Sequence, residues 1–154
     1  MLRGMSVAWF LLIAAASSWG KAPPFQLRVY AQANAHDGEV FAAKAIAPIS
    51  GEEMFVEKVP AISERDVIGA ATYPARDGTF GVMFNLDAHG RAALETLSVE
   101  NRGRKLLVMV NGRLLTEMAI DRRVSDGRFY IPSGLSAAEI ELLRKSWPAP
   151  RSKS

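Results

Sequence analysis

The chain contains no cysteine. That absence excludes a disulfide scaffold, cysteine-ligated zinc, an iron–sulfur cluster and a cysteine nucleophile together. Histidine is nearly as scarce, with two in 154 residues, so no metal site is expected. Charge of one sign is lacking too. The 19 Lys and Arg against 16 Asp and Glu leave a net +3, too little for a strong non-specific nucleic-acid binder. No apolar run reaches the roughly 20 residues that cross a bilayer. No G-x-S-x-G, H-E-x-x-H, P-loop or dinucleotide fingerprint occurs. What is present is ordinary for a folded domain: 49% hydrophobic and 23% charged residues, over a length that suits one domain.

The start of the chain reads differently from the rest. Arg3 precedes an apolar run from Met5 to Ala16, followed by the small residues Ser17, Ser18 and Gly20. That is the order of a secretory signal. Residues 1–20 are expected to be a signal peptide, with an uncleaved N-terminal anchor as the alternative. The expected location is periplasmic or secreted, with the mature chain starting between Ser17 and Pro23. The remainder divides into an N-terminal β-strand region (21–60), an α+β domain (61–148) and a disordered tail (149–154). An exported chain without cysteine must be held together by core packing alone.

Within the mature chain, Phe25, Leu27, Val29 and Ala31 alternate with polar residues and Tyr30, which predicts a half-buried strand. Segments 39–47 and 54–59 are further strand candidates, separated by Pro48 and Ser50-Gly51. Ser63, with Glu64 and Asp66 after it, predicts a helix cap and a short helix to about Ala71. Phe80, Val82, Phe84 and Leu86 share one face of a strand. Asp87 is placed to cap a helix over 88–102, and Gly103 to stop it. Lys105–Val110 and Arg113–Ile120 form a hairpin through Asn111-Gly112, and the first of these strands is apolar on both faces, as a central strand is. A short strand follows at 128–131. Ser136 and Glu139 make a capping box for a last helix, whose Ile140, Leu143 and Trp147 face the core. The expected fold is α+β: an antiparallel sheet with helices packed on one face, preceded by N-terminal β-strands.

Five short motifs, in order, carry a family resemblance. They are Pro60-Ala-Ile-Ser-Glu-Arg-Asp-Val-Ile-Gly-Ala70, Phe84-Asn-Leu-Asp-Ala-His-Gly90, Asn101-Arg-Gly-Arg-Lys105, Leu107-Val-Met-Val-Asn-Gly-Arg113 and Ile131-Pro-Ser-Gly-Leu-Ser-Ala-Ala-Glu139. Over roughly residues 55–146 the chain resembles the head subdomain of the first periplasmic domain of SecD, a subunit of the bacterial protein-export translocase. The resemblance implies an accessory module of protein export rather than an enzyme. It does not imply motor activity, because the membrane-spanning helices of the full-length family are missing from this sequence. Each motif also has a purely structural reading as a cap, a turn or a tight contact.

The residues that carry chemistry are few. His89 lies two positions after Asp87, and the pair is the only basis for an alternative reading as a small exported hydrolase. His89→Ala separates the two readings, since it would abolish turnover only in the second. Asp66, Asp87 and Asp121 fall on caps and turns without the close pairing of acid–base chemistry. No catalytic residue, metal or cofactor is therefore expected. Basic residues cluster at Arg102-Arg104-Lys105, Arg122-Arg123 and Arg144-Lys145, where peripheral contact with anionic lipid or an acidic partner is the functional reading and a solvated face the plain one. The expected partner is a protein or unfolded peptide, with envelope or translocase components as candidates, and not nucleic acid. If both helices lie on one side of the sheet, the other side carries Met83, Leu107 and Met109 as a partner-binding surface, unless the N-terminal strands cover it. On that expectation Met109→Lys weakens peptide binding without unfolding the protein.

Overall fold

A computed structural model describes residues 25–34 and 36–148. The signal peptide expected at 1–20 and the tail expected at 149–154 lie outside the described residues. No helix among them is long and apolar enough to cross a membrane.

The elements in chain order are β1 (Leu27–Ala31), α1 (Gly38–Phe41), β2 (Ala42–Ile46), β3 (Glu53–Glu57), β4 (Ile62–Ser63), a single 3-10 turn at Glu64–Asp66, β5 (Val67–Pro74), β6 (Phe80–Leu86), α2 (Ala88–Glu100), β7 (Lys105–Val110), β8 (Arg113–Ala119), β9 (Arg128–Leu135) and α3 (Ala137–Ser146). All strand pairs are antiparallel, and the fold is α+β as expected. The strands divide into three sheets, ordered β4-β1-β7-β8, β2-β3 and β5-β6-β9.

The alternation read in the sequence sets the core. Leu27, Val29 and Ala31 of β1, Leu106, Val108 and Val110 of β7, and Val82, Phe84 and Leu86 of β6 point into one apolar interior. Leu94 and Leu97 of α2 and Ile140 and Leu143 of α3 close it. At its centre Phe25, Phe84 and Trp147 form an aromatic triangle with ring centroids 5.9 to 6.0 Å apart. The Trp147 indole N–H donates to the Val67 carbonyl at 3.1 Å, so the polar edge of that ring is satisfied inside the cluster. β7 lies between β1 and β8 and is buried on both sides, as its sequence predicts.

Three elements differ from the sequence expectation. The Ser63 cap exists, with a full capping box to Asp66, but its helix is one turn long. Val67 and Ile68 are β-branched, and residues 67–74 gain a ladder with β6 that a helix would forgo. The strand at Arg128 does not end at Ile131. It runs to Leu135, with Pro132-Ser-Gly134 bulging where the register against β6 shifts between Phe80 and Val82. β9 is an edge strand, where the missing proline N–H is tolerated. The segment from Glu39 begins as the four-residue helix α1 and becomes strand only at Ala42.

Candidate functional site

Three places hold the residues singled out by sequence. The first is the start of α2. Asp87 accepts the Gly90 N–H at 2.8 Å and so caps the helix, as expected. His89 does not pair with Asp87. Its Nδ1 lies 2.7 Å from Oδ1 of Asp66, whose Oδ2 accepts the Ser63 N–H at 2.9 Å. The aspartates thought to be spread apart are therefore neighbours here, because the 3-10 turn packs on the first turn of α2. Gly90 permits that approach, since a Cβ there would lie 2.8 Å from the Asp66 Cβ. One ligand atom each from Asp66, Asp87 and His89 lies within 4.8 Å of the others. These atoms could face a shared cation, yet the Asp66 and Asp87 oxygens already accept N–H groups, beside a helix N-terminus that disfavours positive charge.

The hydrogen bond to Asp66, and then the Asp66 charge, raise the His89 pKa above its ordinary value. A raised folded-state pKa stabilises the protein below the unfolded value of about 6.5. That stabilisation is lost as pH rises through the folded value. A His89→Gln variant should therefore melt below the parent under acidic conditions and with it well above neutrality. The gap should be small because the side chain is 79% exposed. Parallel melting curves across pH check this, and a gap that widens toward high pH would contradict the pairing.

The second place is the outer face of the four-stranded sheet, where Leu107 and Met109 lie. This face is not free. The β2–β3 hairpin folds across it, and Ala47, Met54 and Val56 bury Leu107 to 1% exposure, with Tyr30, Ala43, Ala45 and Leu114 packed around them. Polar ties hold the hairpin down. Ser50 donates to Glu117 through its N–H at 3.0 Å and its hydroxyl at 3.2 Å, and Lys105 reaches Glu52 at 2.9 Å. Met109 is half-buried between Arg28 of β1 and Leu114 of β8.

The third place is the outer face of the β5-β6-β9 sheet, where Met83 lies. Met83 thus belongs to a different sheet from Leu107 and Met109, and the three do not form one surface. Its cross-strand neighbours are Ala71 of β5 and Tyr130 of β9. Ala71 is exposed, Tyr130 is 49% exposed and Met83 is half-buried between them, so this face remains open to solvent. Tyr73 completes it. Its ring lies over Gly81, where a Cβ would come within 2.3 Å of the ring, and its hydroxyl donates to the Ile131 carbonyl at 3.0 Å. Burial, then the nearby Tyr130, push its hydroxyl pKa up.

Sequence reasoning missed Tyr73, Ala71 and Tyr130 as companions of Met83. Alternation across 67–74 and 128–135 is the available signal, but the Ser63 cap predicts helix to about Ala71 and the second strand is expected to end at Ile131. The basic clusters are largely tied to neighbours: Arg123 to Glu95, Arg144 to Glu141, Arg104 to Asn34, and Lys105 to Glu52 and Glu117.

Antiparallel sheets with α2 and α3 closing the main core, and motif residues that cap, turn and pack, define a head-type α+β domain. The SecDF P1 head subdomain family matches residues 39–145, well over half of the sequence. The chain belongs to that family. Among solved structures it is similar to the membrane component SecDF that enhances protein export, at 20% identity and a TM-score of 0.55 over 82% of this chain. It is also similar to SecDF in a super-membrane-facing form, at 19% identity and a TM-score of 0.54 over 81% of this chain. It spans 66% and 19% of those two chains, and at such identities the likeness is one of fold. No curated protein matches it.

Proposed function

We propose that this is a non-enzymatic, exported accessory module of protein export that contacts unfolded or envelope protein segments through the outer face of β5-β6-β9. The observation that carries this reading is the open, largely apolar face formed by Ala71, Met83, Tyr130 and Tyr73. Methionine beside an aromatic ring, as Met83 is beside Tyr130, adapts to varied apolar side chains, which suits a surface that must accept many sequences. The Leu107–Met109 face is a poor candidate because a partner would first have to displace the β2–β3 hairpin. Membership of a protein-export family agrees with the reading, and no observation favours the hydrolase alternative.

Met83→Lys tests it. The substitution should leave stability within about 0.5 kcal/mol, as most surface changes do, while weakening binding of an unfolded apolar peptide about tenfold. Met109→Lys serves as the comparison and should leave binding unchanged. Melting curves and fluorescence anisotropy with one labelled peptide read both effects. Equal peptide affinity for the parent and Met83→Lys would remove this face as the site.

A further inference from the structure

We infer that Asn111 is a site of spontaneous deamidation that the folded β7–β8 hairpin holds shut, so that the chain is modified there while it is unfolded. Of the four asparagines, Asn34, Asn85 and Asn101 precede Ala, Leu and Arg, and Asn111 alone precedes glycine. The reaction favours that neighbour. The main-chain nitrogen of the next residue loses its proton to base and attacks the asparagine Cγ, an approach that any side chain on that residue hinders. A C–N bond forms, the Cγ–Nδ2 bond breaks, and ammonia leaves with a proton returned by water, closing a succinimide ring. Water then opens the ring at Cγ to give aspartate, or at the main-chain carbonyl to give isoaspartate. Asn111 and Gly112 are both exposed, so water and base reach them.

The turn blocks the first step. Positive φ at both residues, 49° and 82°, marks a type I′ turn, whose first central residue has ψ of about +30°. For an L-residue that ψ puts the next nitrogen roughly 150° from Cβ about the Cα–C bond, on the far side from the carboxamide. Ring closure needs the two nearly eclipsed, so the turn must first be undone. Two hydrogen bonds oppose this. The Asn111 N–H donates to the Gln26 carbonyl at 3.0 Å, and the Gln26 N–H donates to Asn111 Oδ1 at 2.9 Å. Pairing of Val110 with Arg113 below the turn opposes it as well. The segment before β1 thus fastens the hairpin apex in its unreactive form.

The two products differ in what they do to the fold. Aspartate keeps an oxygen in place of Oδ1 to accept the Gln26 N–H, and Asp-Gly suits the same turn. Isoaspartate runs the main chain through Cβ, which adds a carbon inside a two-residue turn. That addition displaces the Val110–Arg113 pairing and parts the apex from Gln26. A chain that stays unfolded therefore acquires a fraction that no longer closes this hairpin.

The test incubates the purified protein at mildly alkaline pH, folded in buffer and unfolded in guanidinium chloride. Peptide mass mapping that separates aspartate from isoaspartate follows all four asparagines. Conversion at Asn111 should be at least about thirtyfold slower in the folded sample, the weight of the two hydrogen bonds to Gln26. In the unfolded sample it should outpace conversion at Asn34, Asn85 and Asn101. Equal rates at Asn111 in both samples would overturn the guarding role of the turn, and no conversion in either would overturn the site. Gln26→Pro removes one of the two donors and should speed conversion in the folded protein about fivefold, with a melting curve confirming that the variant is folded. An unchanged rate in that folded variant would overturn the part given to Gln26, and the comparison of folded with unfolded parent stands without it. After return to buffer, Asn111→Asp should melt with the parent and the isoaspartate fraction below it. Coincident melting of all three would overturn the effect on the hairpin.

Discussion

Replacing Phe84 with alanine is expected to cost about 3–5 kcal/mol, the range for a phenylalanine removed from a packed core. Phe84 is fully buried on the inner face of β6, and its ring meets Phe25 at 6.0 Å and Trp147 at 5.9 Å. Those two rings come from the segment before β1 and from the end of α3, so one side chain joins three distant parts of the sequence. The loss is a large share of the roughly 5–15 kcal/mol that holds a domain folded. With no cysteine to form a crosslink, nothing covalent compensates for it. Denaturant melts of the parent and Phe84→Ala should show a lower midpoint with a similar slope. An unchanged midpoint would mean that β6 turns its other face to the core.

What the sequence discloses here follows from how local each signal is. The α2 segment was legible because Asp87, its apolar stripe and Gly103 all lie within one stretch of chain. The β7–β8 hairpin was legible because Asn111 and Gly112 both adopt positive φ, at 49° and 82°, as the residue types advertise. β5 departs from the sequence expectation for the complementary reason. The capping box at Ser63 is a true local signal, but how far a helix continues after it is decided by pairing with β6, a contact made across the fold. The pairing of His89 with Asp66 was invisible for the same cause, since 23 residues separate partners that meet only when the 3-10 turn docks on α2.

The proposed binding surface divides along that line. Alternation placed Met83 and Leu107 correctly on faces opposite the main core. It could not assign them to sheets, because sheet membership depends on which strands pair. β1 lies between β4 and β7, so the strand next to β7 comes from the N-terminal region and not from β6. That insertion separates Leu107 from Met83 and brings β2 and β3, which follow β1, over the Leu107 side. The covering of that face by N-terminal strands, left open by the sequence, is thus a consequence of where β1 pairs.

Leu107→Ala tests this consequence and should carry the second large effect. Leu107 is the sheet's fully buried member of the small cluster under the hairpin, with Ala47, Met54 and Val56 above it and Tyr30 and Leu114 of the same sheet beside it. Truncating a buried leucine costs about 2–5 kcal/mol. Here the loss should fall first on the hairpin, because that cluster is separate from the main core and few large side chains hold it. Hydrogen exchange at Ala43, Ala45, Met54 and Val56 should therefore accelerate by about thirtyfold or more, the equivalent of roughly 2 kcal/mol. Amides of Val82 and Phe84 should change less, since they open only with the whole domain. Uniform acceleration would mean that hairpin and core unfold as one unit. A Leu107→Ala protein with unaltered exchange and weakened peptide binding would instead return this face to the role of binding surface, with the hairpin as a cover that lifts.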